Sequence, residues 1–103
     1  MSAYVYILRC ADGSYYVGST RTALELRIGQ HNAGVHEGYT KSRRPVALVW
    51  SEEFQQITDA IAFERRLKGW SRAKKEALIA GRYDLLPRLA RGRSRPSEDE
   101  PAP

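Results

Sequence analysis

The 103-residue chain is poor in cysteine, and its single thiol belongs to Cys10. One cysteine excludes an internal disulfide framework and any zinc site built from several cysteines. It is the usage expected of a protein in a reducing, intracellular setting. The chain also lacks an apolar run approaching the ~20 residues that span a bilayer, and its first residues lack the pattern of a secretory signal. We therefore expect a soluble, cytoplasmic protein without a membrane partner.

Negative charge is the second shortage, because 17 Lys and Arg stand against 12 Asp and Glu and leave a formal charge of +5. Three of the acids lie at positions 98–100, so the rest of the chain is more basic than the total suggests. Lys and Arg release counterions from phosphates, which makes nucleic acid a plausible partner, although many basic proteins bind none. The length and the 42% hydrophobic content fit one compact core.

The first twenty residues have the pattern of a β-hairpin. Residues 4–8 and 15–18 are dense in β-branched and aromatic side chains, and Asp12-Gly13 lies between the two runs. Because glycine tolerates the positive φ of a tight turn, the pattern predicts two antiparallel strands. Period-two alternation then places three side chains on one face of the sheet: Tyr4, Tyr6 and Leu8.

The later elements follow from hydrophobic spacing and stop signals. They are a helix from Leu24 to Asn32, a strand from Val46 to Trp50, a helix from Ile57 to Lys68 and a shorter basic helix that Ser71 caps. Residues 33–44 contain glycines and cations and predict a mobile basic loop. We expect one domain over residues 1–86. Residues 87–103 are basic and then acidic, with almost nothing apolar to bury, and predict a disordered tail.

Glu64 is the most informative single residue, since it lies on the apolar stripe of the predicted helix 57–68. An ionised carboxylate among apolar groups is costly unless a cation or hydrogen-bond donors meet it. One interpretation is a structural ion pair with Lys68, Arg65 or another basic residue. The other is a magnesium ligand, because Mg²⁺ keeps several waters and is commonly bound by one or two carboxylates together with substrate phosphate.

Four further side chains are candidates for phosphodiester chemistry: Tyr6, Tyr16, Arg27 and His31. Strands are routinely rich in tyrosine, and a helix flank routinely carries solvated Arg and His, so each residue alone has an ordinary interpretation. Arginine also binds phosphate bidentately and stabilises charge that develops in phosphoryl transfer. Histidine accepts or positions a proton near neutral pH.

The order of these residues resembles the GIY-YIG nuclease family. Tyr4-Val5-Tyr6 stands where that family has its first signature, and Tyr16-Val17-Gly18 stands where it has the second. Arg27, His31 and Glu64 follow in the family's order, and Arg44-Pro45-Val46 adds a likeness to its small, stand-alone bacterial members of the UPF0213 kind. The resemblance covers residues 3–82. It departs at Tyr4, which replaces the glycine of the first signature, and at a polar residue of larger members that has no evident counterpart.

The resemblance implies an α/β fold with a three-stranded antiparallel sheet flanked by helices, in agreement with the predicted elements. It also implies a single-metal endonuclease that uses Mg²⁺ or Mn²⁺ to hydrolyse nucleic acid, with DNA the expected substrate. A tyrosine base needs nearby positive charge, because a free phenol has a pKa near 10. The implied roles are a general base or water-positioning group at Tyr6, orientation of water or phosphate by Tyr16, a phosphate clamp at Arg27, assistance to proton transfer by His31 and metal binding by Glu64.

The remaining cations are candidate contacts with the nucleic-acid backbone, although each is also an ordinary solvated charge. They are Lys41, Arg43, Arg44, Arg72, Lys74 and Lys75. Tyr39 and Trp70 are available to stack on a base. Two other functions stay open: a catalytically weak or inactive nucleic-acid-binding module on the same fold, and a basic adaptor for a protein partner in which Glu64 closes an ion pair.

Overall fold

The computed structural model describes residues 2–83, so the predicted tail at 87–103 lies outside the described residues. Three strands form one antiparallel sheet in the order β2-β1-β3: β1 (Ala3–Arg9), β2 (Tyr15–Thr20) and β3 (Ala47–Phe54). The helices are α1 (Leu24–Asn32), α2 (Ile57–Lys68) and α3 (Arg72–Ile79), with a short 3₁₀ turn at Lys41–Arg43. The predicted α/β fold with a three-stranded antiparallel sheet is confirmed.

The chain divides into two compact units, of which the first ends at Glu64 and the second begins at Arg65. The first unit contains the whole sheet, α1 and all five residues of the implied catalytic set. The second contains the end of α2 and all of α3. No helix within residues 2–83 is long and apolar enough to cross a membrane.

β1 is the central strand, and the four side chains from Val5 to Leu8 are all buried. Both faces of this strand are therefore covered, since successive side chains point to opposite faces of the sheet. On one face Tyr6 and Leu8 cluster with Cys10 and Val46, in keeping with the predicted alternation. Leu24 and Ile28, one turn apart on α1, pack against this cluster, so the helix lies over the Tyr6 face of the sheet.

β3 runs four residues beyond the predicted end at Trp50. Its polar segment Ser51–Glu53 has little intrinsic strand preference, but its backbone pairs with β1 as far as Phe54, opposite Ala3. The segment is exposed at the edge of the sheet, where polar side chains are tolerated and pairing decides the conformation. Phe63 of α2 adds ring contacts to this strand, with centroids 6.0 Å from Trp50 and 5.6 Å from Phe54.

The segment between α1 and β3 is held by specific contacts, whereas the sequence predicts a mobile loop. At its start the Asn32 side chain donates to the Val46 carbonyl at 3.0 Å and accepts from the Val46 amide at 2.7 Å. At its end the Arg43 carbonyl accepts from the Ala11 amide at 2.9 Å. Thr40, between these anchors, is only 2% exposed. This segment therefore contributes a fixed side chain to the interior of the first unit.

Candidate active site

Tyr6, Tyr16 and His31 form one aromatic cluster. Tyr6 lies at the centre of β1, and Tyr16 stands on β2 opposite Leu8. His31 enters from the last turn of α1, with its ring centroid 6.0 Å from Tyr6 and 5.2 Å from Tyr16. The Tyr6 hydroxyl lies 3.0 Å from His31 Nε2 in a buried hydrogen bond. Three of the residues predicted from the sequence thus meet at a single point.

Gly18 makes the approach of the two tyrosines possible. It pairs with Tyr6 across the β1–β2 ladder. A β-carbon at this position would lie 2.6 Å from the Tyr6 hydroxyl oxygen and 3.0 Å from Cε2 of Tyr16. The first distance is shorter than packed atoms tolerate and the second is unusually tight, so the glycine of the second signature acts here by leaving room for the Tyr6 hydroxyl.

His31 is neutral at physiological pH. Its ring is 2% exposed, and burial, helped by the nearby His36 and Arg27, lowers the pKa of His31 from 6.5 to about 4. A neutral imidazole donates from one ring nitrogen and accepts at the other. One nitrogen faces Tyr6, and the other, Nδ1, lies 2.9 Å from the hydroxyl oxygen of Thr40, which is also buried. The ring is therefore hydrogen-bonded at both nitrogens.

The Tyr6 phenol is neutral as well. Burial is the largest cause that raises the pKa of Tyr6 to about 12, and the neighbouring Tyr16 and Glu64 act in the same direction. The charge of Arg27 and a hydrogen bond from its guanidinium lower the pKa of Tyr6, but by less than burial raises it. Positive charge from Arg27 thus acts in the predicted direction without producing a resting phenolate. Tyr6 instead shares a buried hydrogen bond with the neutral imidazole of His31.

Arg27 lies one turn before His31 on α1, and its side chain is half-buried. Its Nε is buried and has no hydrogen-bond partner among residues 2–83. A buried donor left without an acceptor costs about 1–3 kcal/mol, which makes such a group a candidate for binding a ligand. An oxyanion is the complementary acceptor, since guanidinium only donates.

Glu64 is half-buried and accepts a hydrogen bond of 2.6 Å from the Ser19 hydroxyl. Its charge contributes to the raised pKa of Tyr6, which puts the carboxylate in the electrostatic environment of the aromatic cluster. Within residues 2–83 no group of three or more His, Cys, Asp or Glu side chains could hold a metal ion. A single carboxylate fits an ion such as Mg²⁺, which keeps waters and takes further oxygens from a phosphate.

The three predicted nucleic-acid contacts of the first unit, Lys41, Arg43 and Arg44, make contacts within the protein. Lys41 pairs with Glu37 at 2.8 Å, and Arg43 pairs with Asp12 at 3.1 Å. Arg44 donates to the carbonyls of Lys41 and Asn32 at 2.8 and 3.3 Å. An open pocket of about 490 Å³ is lined by Asn32, Lys41, Ser42, Arg44 and Pro45. Two of the three predicted backbone contacts, Lys41 and Arg44, therefore share one concave surface.

Tyr39 connects these cations with the aromatic cluster. Its ring stacks on Tyr16, with centroids 6.2 Å apart and an interplanar angle of 22°. The Arg43 guanidinium lies over the Tyr39 ring at 3.9 Å, and its Nη1 donates to the Tyr39 carbonyl at 2.8 Å. Tyr39 is 41% exposed, so part of its ring stays accessible beside the site.

The second unit holds the other three predicted contacts on α3. The Ser71 side chain caps this helix by accepting from the Lys74 amide at 3.1 Å, as predicted. Arg72 pairs with Glu76 at 3.0 Å, and the Lys74 ammonium lies 4.1 Å from the centre of the Trp70 ring. Burial, with a contribution from Arg72, lowers the pKa of Lys75. The predicted role of these residues in nucleic-acid binding stays a prediction.

Sequence reasoning missed three contributors to the site: the packing role of Gly18, the hydroxyl of Ser19 and the hydroxyl of Thr40. Gly18 belongs to the second signature and Ser19 directly follows it, so the sequence already places both close to the site. Thr40 lies in an irregular segment, where no periodicity reveals which side chain turns inward. Only the fold brings it to His31.

Comparison with known proteins gives a consistent result. Residues 2–77 match the family model of the GIY-YIG catalytic domain. A UPF0213 protein of Halobacterium salinarum is 45% identical over 76 residues, which cover 74% of this chain and 97% of the relative. A UPF0213 protein of Staphylococcus haemolyticus is 47% identical over 79 residues, or 77% of this chain and 95% of the relative.

Solved structures agree with the sequence matches. The solution NMR structure of a UPF0213 protein from Bacillus halodurans has a TM-score of 0.51 and 42% identity, covering 78% of this chain and 84% of that one. A solution NMR structure of a protein from E. faecalis has a TM-score of 0.54 and 35% identity, covering 79% and 85%. The likeness therefore extends to the three-dimensional fold.

Proposed function

Since the chain belongs to the GIY-YIG catalytic domain family, a family of nucleases, we propose that it is a divalent-metal-dependent endonuclease. Its substrate is the phosphodiester backbone of nucleic acid, with DNA the first candidate. The observation that carries the proposal is the buried hydrogen bond between Tyr6 and His31, beside an Arg27 guanidinium whose Nε has no partner among residues 2–83. Tyr6 and His31 are thus suited to relay a proton beside a guanidinium that is suited to bind an anion.

The Tyr6–His31 pair supplies the proton transfer. A water molecule on the Tyr6 hydroxyl gives its proton to the phenol oxygen as the phenol proton moves to His31 Nε2. The hydroxide oxygen forms the new bond to phosphorus, and the bond to the leaving oxygen breaks. Tyr6 stays neutral before and after the relay, which agrees with its pKa of about 12. His31 is the final acceptor, and relayed transfer of this kind contributes about 10²–10⁴-fold to rate.

Arg27 binds the phosphate. Its Nε and Nη groups are suited to two parallel hydrogen bonds with phosphate oxygens. The guanidinium stabilises the charge that grows on these oxygens as water attacks. Tyr16 packs against both His31 and Tyr6 and holds the two rings in place.

Glu64 is the residue that would hold a divalent ion, with Ser19 orienting the carboxylate through its hydroxyl. When bound, the ion neutralises charge on the leaving oxygen. Lys41 and Arg44, which line the 490 Å³ pocket, bind neighbouring phosphates, and the Tyr39 ring, held by Arg43, is available to stack on a base. Arg72, Lys74 and Lys75 provide a further basic contact on α3. These cations act as sequence-independent contacts.

The test is a panel of labelled duplex, single-stranded and branched DNA and RNA, incubated with the wild type and Glu64→Ala in the presence and absence of Mg²⁺ or Mn²⁺. We expect metal-dependent cleavage by the wild type that Glu64→Ala abolishes. Glu25→Ala, on the exposed side of α1, is the matched control and should cleave normally. Salt-sensitive binding with no cleavage of any substrate would indicate a binding module, and no affinity at low salt would indicate a protein adaptor.

A further inference from the structure

Thr40 is one of three buried polar or charged residues in the part of the chain that the structure describes, together with Thr20 and His31. Its hydroxyl lies 2.9 Å from His31 Nδ1, in a hydrogen bond buried on both sides. A buried hydroxyl is costly unless it is paired. The hydrogen bond to His31 therefore fixes the orientation of the imidazole ring as well as the position of Thr40.

The two hydrogen bonds of His31 allow two arrangements. In one, Nε2 carries the proton and donates to Tyr6, and Thr40 donates to Nδ1. In the other, Nδ1 carries the proton and donates to Thr40, and the Tyr6 hydroxyl donates to Nε2. Only the second leaves His31 able to receive the proton of Tyr6.

The chemistry of the two hydroxyls distinguishes between the arrangements. A phenol, with an ordinary pKa near 10, is more acidic than an aliphatic hydroxyl, so Tyr6 is the stronger donor and Thr40 the stronger acceptor. A neutral imidazole has one donor and one acceptor nitrogen, and its Nε2 lies 3.0 Å from the Tyr6 hydroxyl while Nδ1 lies 2.9 Å from that of Thr40. The better pairing therefore has Tyr6 donating to Nε2 and Nδ1 donating to Thr40.

We propose that Thr40 is a positioning residue that accepts the Nδ1 proton of His31 and thereby keeps Nε2 available as the acceptor of the Tyr6 proton. Its effect on turnover rests on the function proposed above, whereas its effect on the tautomer of His31 does not. A carboxylate in this place would favour imidazolium, but a hydroxyl sets the tautomer and leaves the ring neutral.

The segment that carries Thr40 is built to hold it in place. The Thr40 carbonyl accepts from the Arg43 amide at 3.0 Å, and the Arg43 side chain is tied to Asp12 at 3.1 Å. The preceding residue, Tyr39, stacks on Tyr16. Two consecutive residues of one loop therefore contact two rings of the aromatic cluster, and both depend on the placement of Arg43.

The experiment compares the wild type with Thr40→Val, which keeps the shape and removes the hydroxyl, and Thr40→Ser, which keeps the hydroxyl. Long-range ¹⁵N–¹H correlation spectra report the tautomer of each histidine. The chain has two histidines, and a His36→Gln spectrum assigns the signals. Cleavage kinetics with Mg²⁺ are measured on the same samples, and thermal melting checks that each variant folds.

We expect the Nδ1-protonated tautomer of His31 in the wild type and Thr40→Ser. In Thr40→Val the Nε2-protonated tautomer should be populated, with kcat lowered about tenfold or more and KM nearly unchanged, because the loss is in proton transfer. An Nε2-protonated His31 in the wild type would overturn the proposal, as would a Thr40→Val protein with an unchanged tautomer or full turnover.

The test still decides the proposal in two less favourable cases. If Thr40→Val does not fold, the wild-type and Thr40→Ser spectra still decide, since an Nε2-protonated ring in either contradicts the assignment. If the folded wild type cleaves no substrate, the proposed nuclease function fails, but the spectra continue to test the role of Thr40.

Discussion

Gly18 and Tyr6 face each other across the β1–β2 ladder so closely that a β-carbon on residue 18 would lie 2.6 Å from the Tyr6 hydroxyl oxygen. That oxygen is the one hydrogen-bonded to His31. The position of the proposed proton relay thus depends on the absence of a side chain at residue 18 of the neighbouring strand. This relationship and the other contacts of the site lead to five predictions.

Gly18→Ala should displace the Tyr6 ring and break its hydrogen bond to His31. Overpacking of this kind costs about 1–3 kcal/mol, so we expect that loss in the free energy of unfolding together with loss of cleavage. Denaturant titration and a cleavage assay measure the two effects. Gly29→Ala is the matched control, because a β-carbon there would meet no other part of the protein within 4 Å and alanine favours a helix interior. Equal behaviour of the two variants would contradict the packing argument.

Tyr6→Phe should remove the relay while keeping the ring. We expect cleavage to fall by about 10²-fold or more, because the general acid–base contribution is lost. The free energy of unfolding should fall by about 1–3 kcal/mol, since His31 Nε2 loses its partner. Tyr4→Phe, on the same strand, is the control and should cleave at the wild-type rate. A Tyr6→Phe protein that cleaves normally would exclude the hydroxyl from the reaction.

His31 should make the folded protein sensitive to acid. Its pKa is about 4 when folded and near 6.5 when unfolded, so below pH 6.5 the unfolded chain binds the extra proton. Stability from this group is complete above pH 6.5 and is lost as the pH falls toward 4, by about 2–3 kcal/mol. The measurement is the difference in unfolding free energy between the wild type and His31→Gln from pH 4 to 7. A difference that does not vary with pH would contradict the burial argument.

Ser19→Ala should weaken the hold on the carboxylate of Glu64. Loss of a hydrogen bond behind a metal ligand typically raises the metal requirement about 10–100-fold. We expect the Mg²⁺ concentration for half-maximal cleavage to rise by this factor, with activity recovered at high Mg²⁺. Thr58→Ala, which removes an exposed hydroxyl on α2, is the control. An unchanged Mg²⁺ requirement would show that Ser19 does not orient Glu64.

Regular elements could be predicted well from the sequence. The bounds of α1 and α2 agree with the spacing of Leu24 with Ile28 and of Ile57 with Ala60, since periodic burial is a local property. The end of β3 could not be predicted, because Ser51–Glu53 has no strand signature and forms a strand only by pairing with β1. Tertiary pairing decided the conformation there.

The candidate site likewise has residues that the sequence predicts and contacts that only the fold reveals. Glu64 stands out from the sequence because it lies on the apolar stripe of α2, and the resemblance to a family implies roles for it and for Tyr6, Tyr16, Arg27 and His31. The fold places Tyr6 against His31 over a separation of 25 residues. Local pattern carries no information about such a contact. The role of Thr40 could not be predicted from the sequence, because it lies in an irregular segment. The raised pKa of Tyr6 could not be predicted either, because burial is a property of the folded chain.

The central claim is that Tyr6, His31 and Arg27 act on one phosphodiester, and the single-turnover rate of DNA cleavage by Arg27→Ala at saturating Mg²⁺ tests it most directly. Loss of a preorganised donor to the developing charge predicts a rate about 10²–10³-fold lower than the wild type. Arg21→Ala, an exposed arginine just before α1, should retain the wild-type rate. Cleavage by Arg27→Ala at the rate of Arg21→Ala would contradict the account.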